Sequence, residues 1–176
     1  MRSPYSRGNR TKLRLCKCLV YFLLISVSFL SLSDPNLLIF GFKPNLLIPL
    51  GVLIAVHEGE FTGALVGALC GLLADLALRS MLGFHGLILM VLMFFCGFLV
   101  KYLLRPHLLN CLMLTAGAAL VDMLLDYGIY YQLFDYPGAG SFFLSHYLPQ
   151  YFLTLLFLPL FFFPVRWASQ RFRFSD

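Results

Sequence analysis

The sequence predicts an all-α integral membrane protein of six transmembrane helices. Apolar residues make up 60% of the chain and charged residues only 12%, with a mean hydropathy of +0.85, far outside the range of soluble globular proteins. Apolar segments recur along the 176 residues with short polar joints between them, and at about 20 residues per span the length is filled by one helical unit. The lysines and arginines collect on alternate joints, the pattern that fixes topology in a bilayer. A separate soluble or catalytic domain has no room.

Residues 1–14 carry Arg2, Arg7, Arg10, Lys12 and Arg14 among Ser, Gly, Pro and Asn. They are too polar to bury and are expected to form a basic cytoplasmic tail without structure. The first span runs from Leu15 to Ser33. Lys17 and the tail before it, with Ser31-Leu32-Ser33 behind, imitate a secretory signal, and the expectation here is an uncleaved helix.

The second span is the weak one. Leu46 to Val56 is short, contains Pro49, and follows a separate apolar patch from Leu37 to Phe42. It is either a short helix that thins the bilayer or part of a broken, re-entrant segment shielded by its neighbours. Four further spans follow: Phe61 to Leu78, Met81 to Val100, Leu108 to Tyr127, and Tyr147 to Val165. The transmembrane domain thus covers residues 15–166, and 167–176 form a second cytoplasmic tail.

With the N-terminus in the cytoplasm, the inside receives Arg2, Arg7, Arg10, Lys12, Arg14, Lys17, Lys101, Arg105, Arg166, Arg171 and Arg173, and the outside only Lys43 and Arg79. That asymmetry puts both termini inside. The longest outer loop, Gly128 to His146, sets Pro137-Gly138-Ala139-Gly140 among Tyr130, Tyr131, Phe134, Tyr136, Phe142, Phe143 and Tyr147. These rings form an interfacial belt or, on a sharper reading, a platform for an extracytoplasmic partner.

Along the third span Gly63, Gly67, Gly71, Asp75 and Arg79 recur every fourth residue, so a helix stacks them in one stripe. The three glycines admit another backbone closely, which marks a packing helix with a polar tip. Asp122 and Asp126 lie at a similar depth in the fifth span. Three carboxylates and one arginine therefore share a layer near the outer face, where an ionised group needs a partner or water. Two readings stay open: a local Asp75–Arg79 pair with a bond between helices from Asp122, or a cavity or partner-binding layer.

Other chemistries find little support. The basic residues flank apolar spans instead of forming an exposed stripe, which excludes nucleic acid. His57, Glu58 and Glu60 crowd into one turn around Gly59 and cannot all face one metal ion; Glu60 also suits the positive end of the third helix. Cys16, Cys18, Cys70, Cys96 and Cys111 show no CxxC or metal spacing and are expected to be reduced thiols. His85, His107 and His146 are scattered, Ser80 lies near His85 without a nucleophile motif, and no P-loop, Rossmann fingerprint or HExxH is present. No catalytic residue, cofactor or metal site is expected.

The run EFTGALVGALCGLLADL, Glu60 to Leu76, followed by LGFHGL, Leu82 to Leu87, resembles the rod shape-determining protein MreD family, whose glycine-rich helix ends in Gly-Leu-Leu-x-Asp-Leu before a Leu-Gly turn. The resemblance is specific over about residues 57 to 105 and rests on layout elsewhere. Arg79, Met81 and the long basic tail depart from the usual pattern. The resemblance implies a non-enzymatic component of the elongation machinery in the bacterial cytoplasmic membrane. It implies association with an MreC-like protein and, through it or directly, with RodA, a class B penicillin-binding protein and the MreB filament. The implied fold is similar to the S-components of energy-coupling-factor vitamin transporters, six helices around an outward cavity. That similarity supplies the alternative function, a substrate-binding S-component; an intramembrane enzyme is a third class. The acidic, sparse outer layer and the lack of a small-xxx-small stripe in the first span favour the scaffold.

Overall fold

The computed structural model describes residues 5–34, 43–78, 81–104, 106–128 and 147–171. Among them every regular element is a helix: α1 (Tyr5–Ser33), α2 (Leu47–Glu58), α3 (Glu60–Leu78), α4 (Phe84–Tyr102), α5 (Leu108–Tyr127), α6 (Leu148–Leu156) and α7 (Leu158–Arg171). Five stretches have the length and hydropathy to cross a bilayer: Leu15–Ser33, Glu60–Leu78, Phe84–Tyr102, Leu108–Tyr127 and Leu148–Gln170. With the short α2 they make the all-α membrane fold of six spans.

The weak second span has a definite role. Every residue of α2 from Leu47 to Val56 is buried, because α1, α3, α4, α5, α6 and α7 all pack around it. A helix of 12 residues rises only about 18 Å, short of the roughly 30 Å of hydrocarbon. Burial removes the mismatch, since α2 faces other helices and not lipid. Pro49 falls in its first turn, where its missing N–H has no intrahelical acceptor to lose. The main core gathers here: Leu50, Leu53 and Ile54 pack with Leu89 and Met93 of α4, Ala118 and Ala119 of α5, and Phe162 and Val165 of α7. Outward faces are apolar and exposed, as at Phe22, Leu65, Leu69, Leu87 and Phe163, which suits a lipid surround.

Three expectations need correction. Helix α1 begins at Tyr5, inside the segment expected to lack structure. The arginines and lysine there are good helix formers, and a helix already nucleated by the apolar run extends through them. The fourth span begins at Phe84 and not Met81, because Gly83 adopts φ 94° at its N-cap, a left-handed conformation that glycine tolerates and most residues do not. The sixth span is two helices. Pro159 cannot donate to the carbonyl one turn earlier, so α6 stops at Leu156 and α7 restarts at Leu158. The aromatic loop from 129 to 146, the patch from 37 to 42, Ser80, Arg79 and Arg105 lie outside the described residues.

Alternating helix directions create two polar ends. One carries Lys17, Glu58, Glu60 and Lys101, joined across helices; the other carries Asp75, His85 and Asp126. Gly59, at φ 93°, makes the single-residue turn from α2 to α3 at the first of these ends.

Candidate functional site

The site at the acidic end is built on the seam between α3 and α4, the most extensive helix pair in the fold. Glycines let the two backbones meet. A methyl added at Gly63 would lie 2.6 Å from Ala55 Cβ of α2 and 3.1 Å from the Met93 carbonyl oxygen of α4. At Gly67 it would stand 2.5 Å from the Leu89 carbonyl oxygen, and at Gly71 it would overlap the His85 carbonyl and Gly86 Cα. Separations this short leave no room for any side chain. Helix α4 contributes its own clearance, for a methyl at Gly97 would meet the Glu60 backbone at 2.8 Å.

Close approach at Gly71 brings the start of α4 to Asp75, one turn further along α3. Its carboxylate accepts from the Gly83 N–H at 2.8 Å and the His85 N–H at 3.2 Å. These amides are among the free donors that any helix leaves at its N-terminus, and a carboxylate there also meets the positive end of the helix dipole. Asp75 thus caps α4 from a neighbouring helix. The same carboxylate holds the His85 ring through Nδ1 at 2.7 Å. Both side chains are almost wholly buried, at 0% and 2% exposed.

His85 then links the seam to α5. Its Nε2 lies 3.5 Å from Asp126 Oδ1, and the other Asp126 oxygen accepts a hydrogen bond from the Tyr147 hydroxyl at 3.3 Å. Asp122, one turn earlier on α5, is buried. Together with Asn45, His85, Asp126, Gln150 and Thr154 it lines a cleft whose cavity volume is about 60 Å³. The cleft wall is laced by Asn45 N–H to Thr154 Oγ1 at 3.2 Å and by the Thr154 hydroxyl to the Gln150 carbonyl at 2.8 Å.

Of the polar residues singled out in the sequence, Asp75, Asp122 and Asp126 come together, and Arg79 lies outside the described residues. Asp75 engages the start of α4, a role that the local-pair reading did not contain. His85 and Asn45 were missed as members of this layer. The signal was available for His85, which follows the Leu-Gly turn at the depth of Asp75; no sequence pattern marks Asn45, whose position depends on the path of the chain into α2.

At the opposite end the charged groups are paired across helices. Lys17 reaches both Glu58 oxygens, at 2.6 and 2.7 Å, and the Tyr21 hydroxyl donates to the same carboxylate; Lys101 pairs with Glu60. The His57 ring nitrogen faces the Leu53 carbonyl of its own helix. The glutamates of the turn thus meet cations, and among the described residues no cluster of His, Cys, Asp or Glu is placed to hold a metal. All five cysteines are free thiols.

Comparison with known proteins gives one result. A family model described as rod shape-determining protein MreD matches residues 9–172. No curated protein and no solved structure matches the chain.

Proposed function

The chain belongs to the rod shape-determining protein MreD family, and from this premise we propose that it is a non-enzymatic scaffold of the bacterial cell-elongation complex. It sits in the cytoplasmic membrane with both termini inside, binds an MreC-like partner, and through that partner or directly couples to RodA, a class B penicillin-binding protein and the MreB filament. The observation that carries this reading is the family match, which runs through every span. The charge asymmetry across the spans supports the orientation. Gly63, Gly67 and Gly71 serve as the packing seam; Asp75, Arg79, Asp122 and Asp126 belong to a polar cavity or partner layer, in which the buried Asp75 holds the start of α4.

Two features favour a scaffold over the other classes. A general base needs a ring nitrogen turned toward the hydroxyl it activates, whereas both His85 nitrogens face carboxylate oxygens. A vitamin-binding S-component needs a pocket of several hundred Å³ with a few convergent polar groups; the polar acidic cleft offers about 60 Å³, and the larger cavity of about 1020 Å³ between α1 and α7 is lined mostly by apolar residues.

The test is rescue of cell shape in a strain lacking this chain, together with recovery of an MreC-like partner from solubilised membranes. Wild type should restore rods and capture the partner. The double variant Asp122→Asn, Asp126→Asn should accumulate normally yet capture less. Rods restored without any partner captured would refute the scaffold reading, and full capture by the double variant would remove the carboxylate layer from the partner surface.

A further inference from the structure

The acidic cleft contains two acceptors that nothing among the described residues satisfies. Asn45 Oδ1 and Asp122 Oδ1 are buried and have no hydrogen-bond partner, although each residue is only 7% exposed. They come from different helical regions, the approach to α2 and the last two turns of α5, and both residues line the same cavity. Buried polar atoms are almost always paired, and leaving one unpaired costs about 1–3 kcal/mol. Two in one small cleft mark a place where something else supplies the hydrogens.

Three hydroxyl donors along the cleft are committed. The Thr154 hydroxyl gives its proton to the Gln150 carbonyl, the Tyr151 hydroxyl to the Ala116 carbonyl, and the Tyr147 hydroxyl to Asp126. The two buried atoms left unsatisfied are both acceptors, one of them a carboxylate oxygen. An occupant must therefore donate hydrogen bonds, and beside Asp122 and Asp126 a positive charge is favoured over a neutral group. The described residues place no cluster of ligands for a metal ion. A cavity needs about 10–15 Å³ to hold one water molecule, so a volume of about 60 Å³ admits a group of few heavy atoms.

We propose that this cleft binds an ammonium group, held by Asn45 Oδ1 and Asp122 Oδ1. The proposal is independent of the scaffold reading, because the isolated protein reports it. Wild-type protein in neutral detergent is unfolded thermally in methylammonium chloride and, at equal ionic strength, in tetramethylammonium chloride, which carries the same charge but no N–H. Methylammonium should raise Tm saturably, by about 3 °C near ten times its dissociation constant, and tetramethylammonium should not. Asn45→Ala and Asp122→Asn should each abolish the difference; either variant that folds suffices, and the wild-type comparison stands without them. Identical curves for the two salts in wild type would overturn the proposal and leave the cleft to water.

The source of the group is read in vesicles. If methylammonium protects the protein in phosphatidylcholine but not after phosphatidylethanolamine is added, the lipid headgroup is the natural occupant. Protection that persists in both assigns the site to an ammonium group arriving from outside the lipid. Absence of protection in both, with a detergent result that also fails to distinguish the salts, counts against the site altogether.

Discussion

The two ends of the bundle handle charge in opposite ways. At one, Lys17 with Glu58 and Lys101 with Glu60 form pairs between helices that keep contact with water, the lysine of the second pair being 50% exposed. At the other, Asp75 and His85 are withdrawn from solvent, and the carboxylate is divided between an imidazole and two backbone amides. The first arrangement neutralises charge and leaves the helices largely indifferent to its loss. The second makes a carboxylate part of the α3–α4 junction itself, because without it the start of α4 has unsatisfied donors in an apolar setting.

Four substitutions, taken from the largest expected effect downward, would break or sharpen this contrast. Asp75→Ala leaves the His85 ring and two amides without their acceptor, a loss of about 3–5 kcal/mol for a buried charged partner. Membrane accumulation, measured by fluorescence-detected size exclusion, should collapse; a normal monodisperse peak would erase the distinction between the ends. Gly67→Leu lies between them and drives a side chain into the Leu89 carbonyl. It should destabilise by about 3 kcal/mol through overpacking alone, and an unchanged Tm would mean that α3 and α4 separate more readily than their contact implies. Glu58→Gln removes one charge from a pair whose members are 17–18% exposed, and the carboxylate also accepts from the Tyr21 hydroxyl. About 1–2 kcal/mol is expected, read as a modest fall in Tm that shrinks in high salt. Glu60→Gln, facing the half-exposed Lys101, should leave Tm unchanged.

Much of this organisation is legible in the sequence because the bilayer restricts what a chain can do. Long apolar runs have to be helices, and the lysine and arginine distribution orders the joints. The four-residue spacing of Gly63, Gly67, Gly71 and Asp75 put these residues on one stripe of α3. Composition could not say what that stripe meets. The answer depends on the turn after α3, where Gly83 at positive φ aims its N–H and that of His85 at Asp75, and such aim is a property of backbone path. Proline effects were similarly divided: Pro49 looked disruptive but sits harmlessly in a first turn, while Pro159, inside an apparently continuous span, splits it. Asn45 could not be recognised because its significance comes from Asp122, far away in sequence.

The enclosure of α2 bears on how the protein is made. A segment of 12 residues with no lipid-facing side gains little by partitioning alone into the bilayer as it leaves the ribosome, since insertion favours runs of about 20 apolar residues. Its stable residence requires α3, α4 and α5 to be present around it, so the centre of the finished bundle is one of the last parts to gain its environment. With the native cysteines replaced by serine and Ala55→Cys as the probe on α2, which has no cysteine of its own, nascent chains ending soon after Glu58 should react with aqueous thiol reagents, and chains extended through Tyr127 should be shielded. Synthesis would then proceed from the rim inward, with the seam between α3 and α4 forming the surface onto which α2 is drawn.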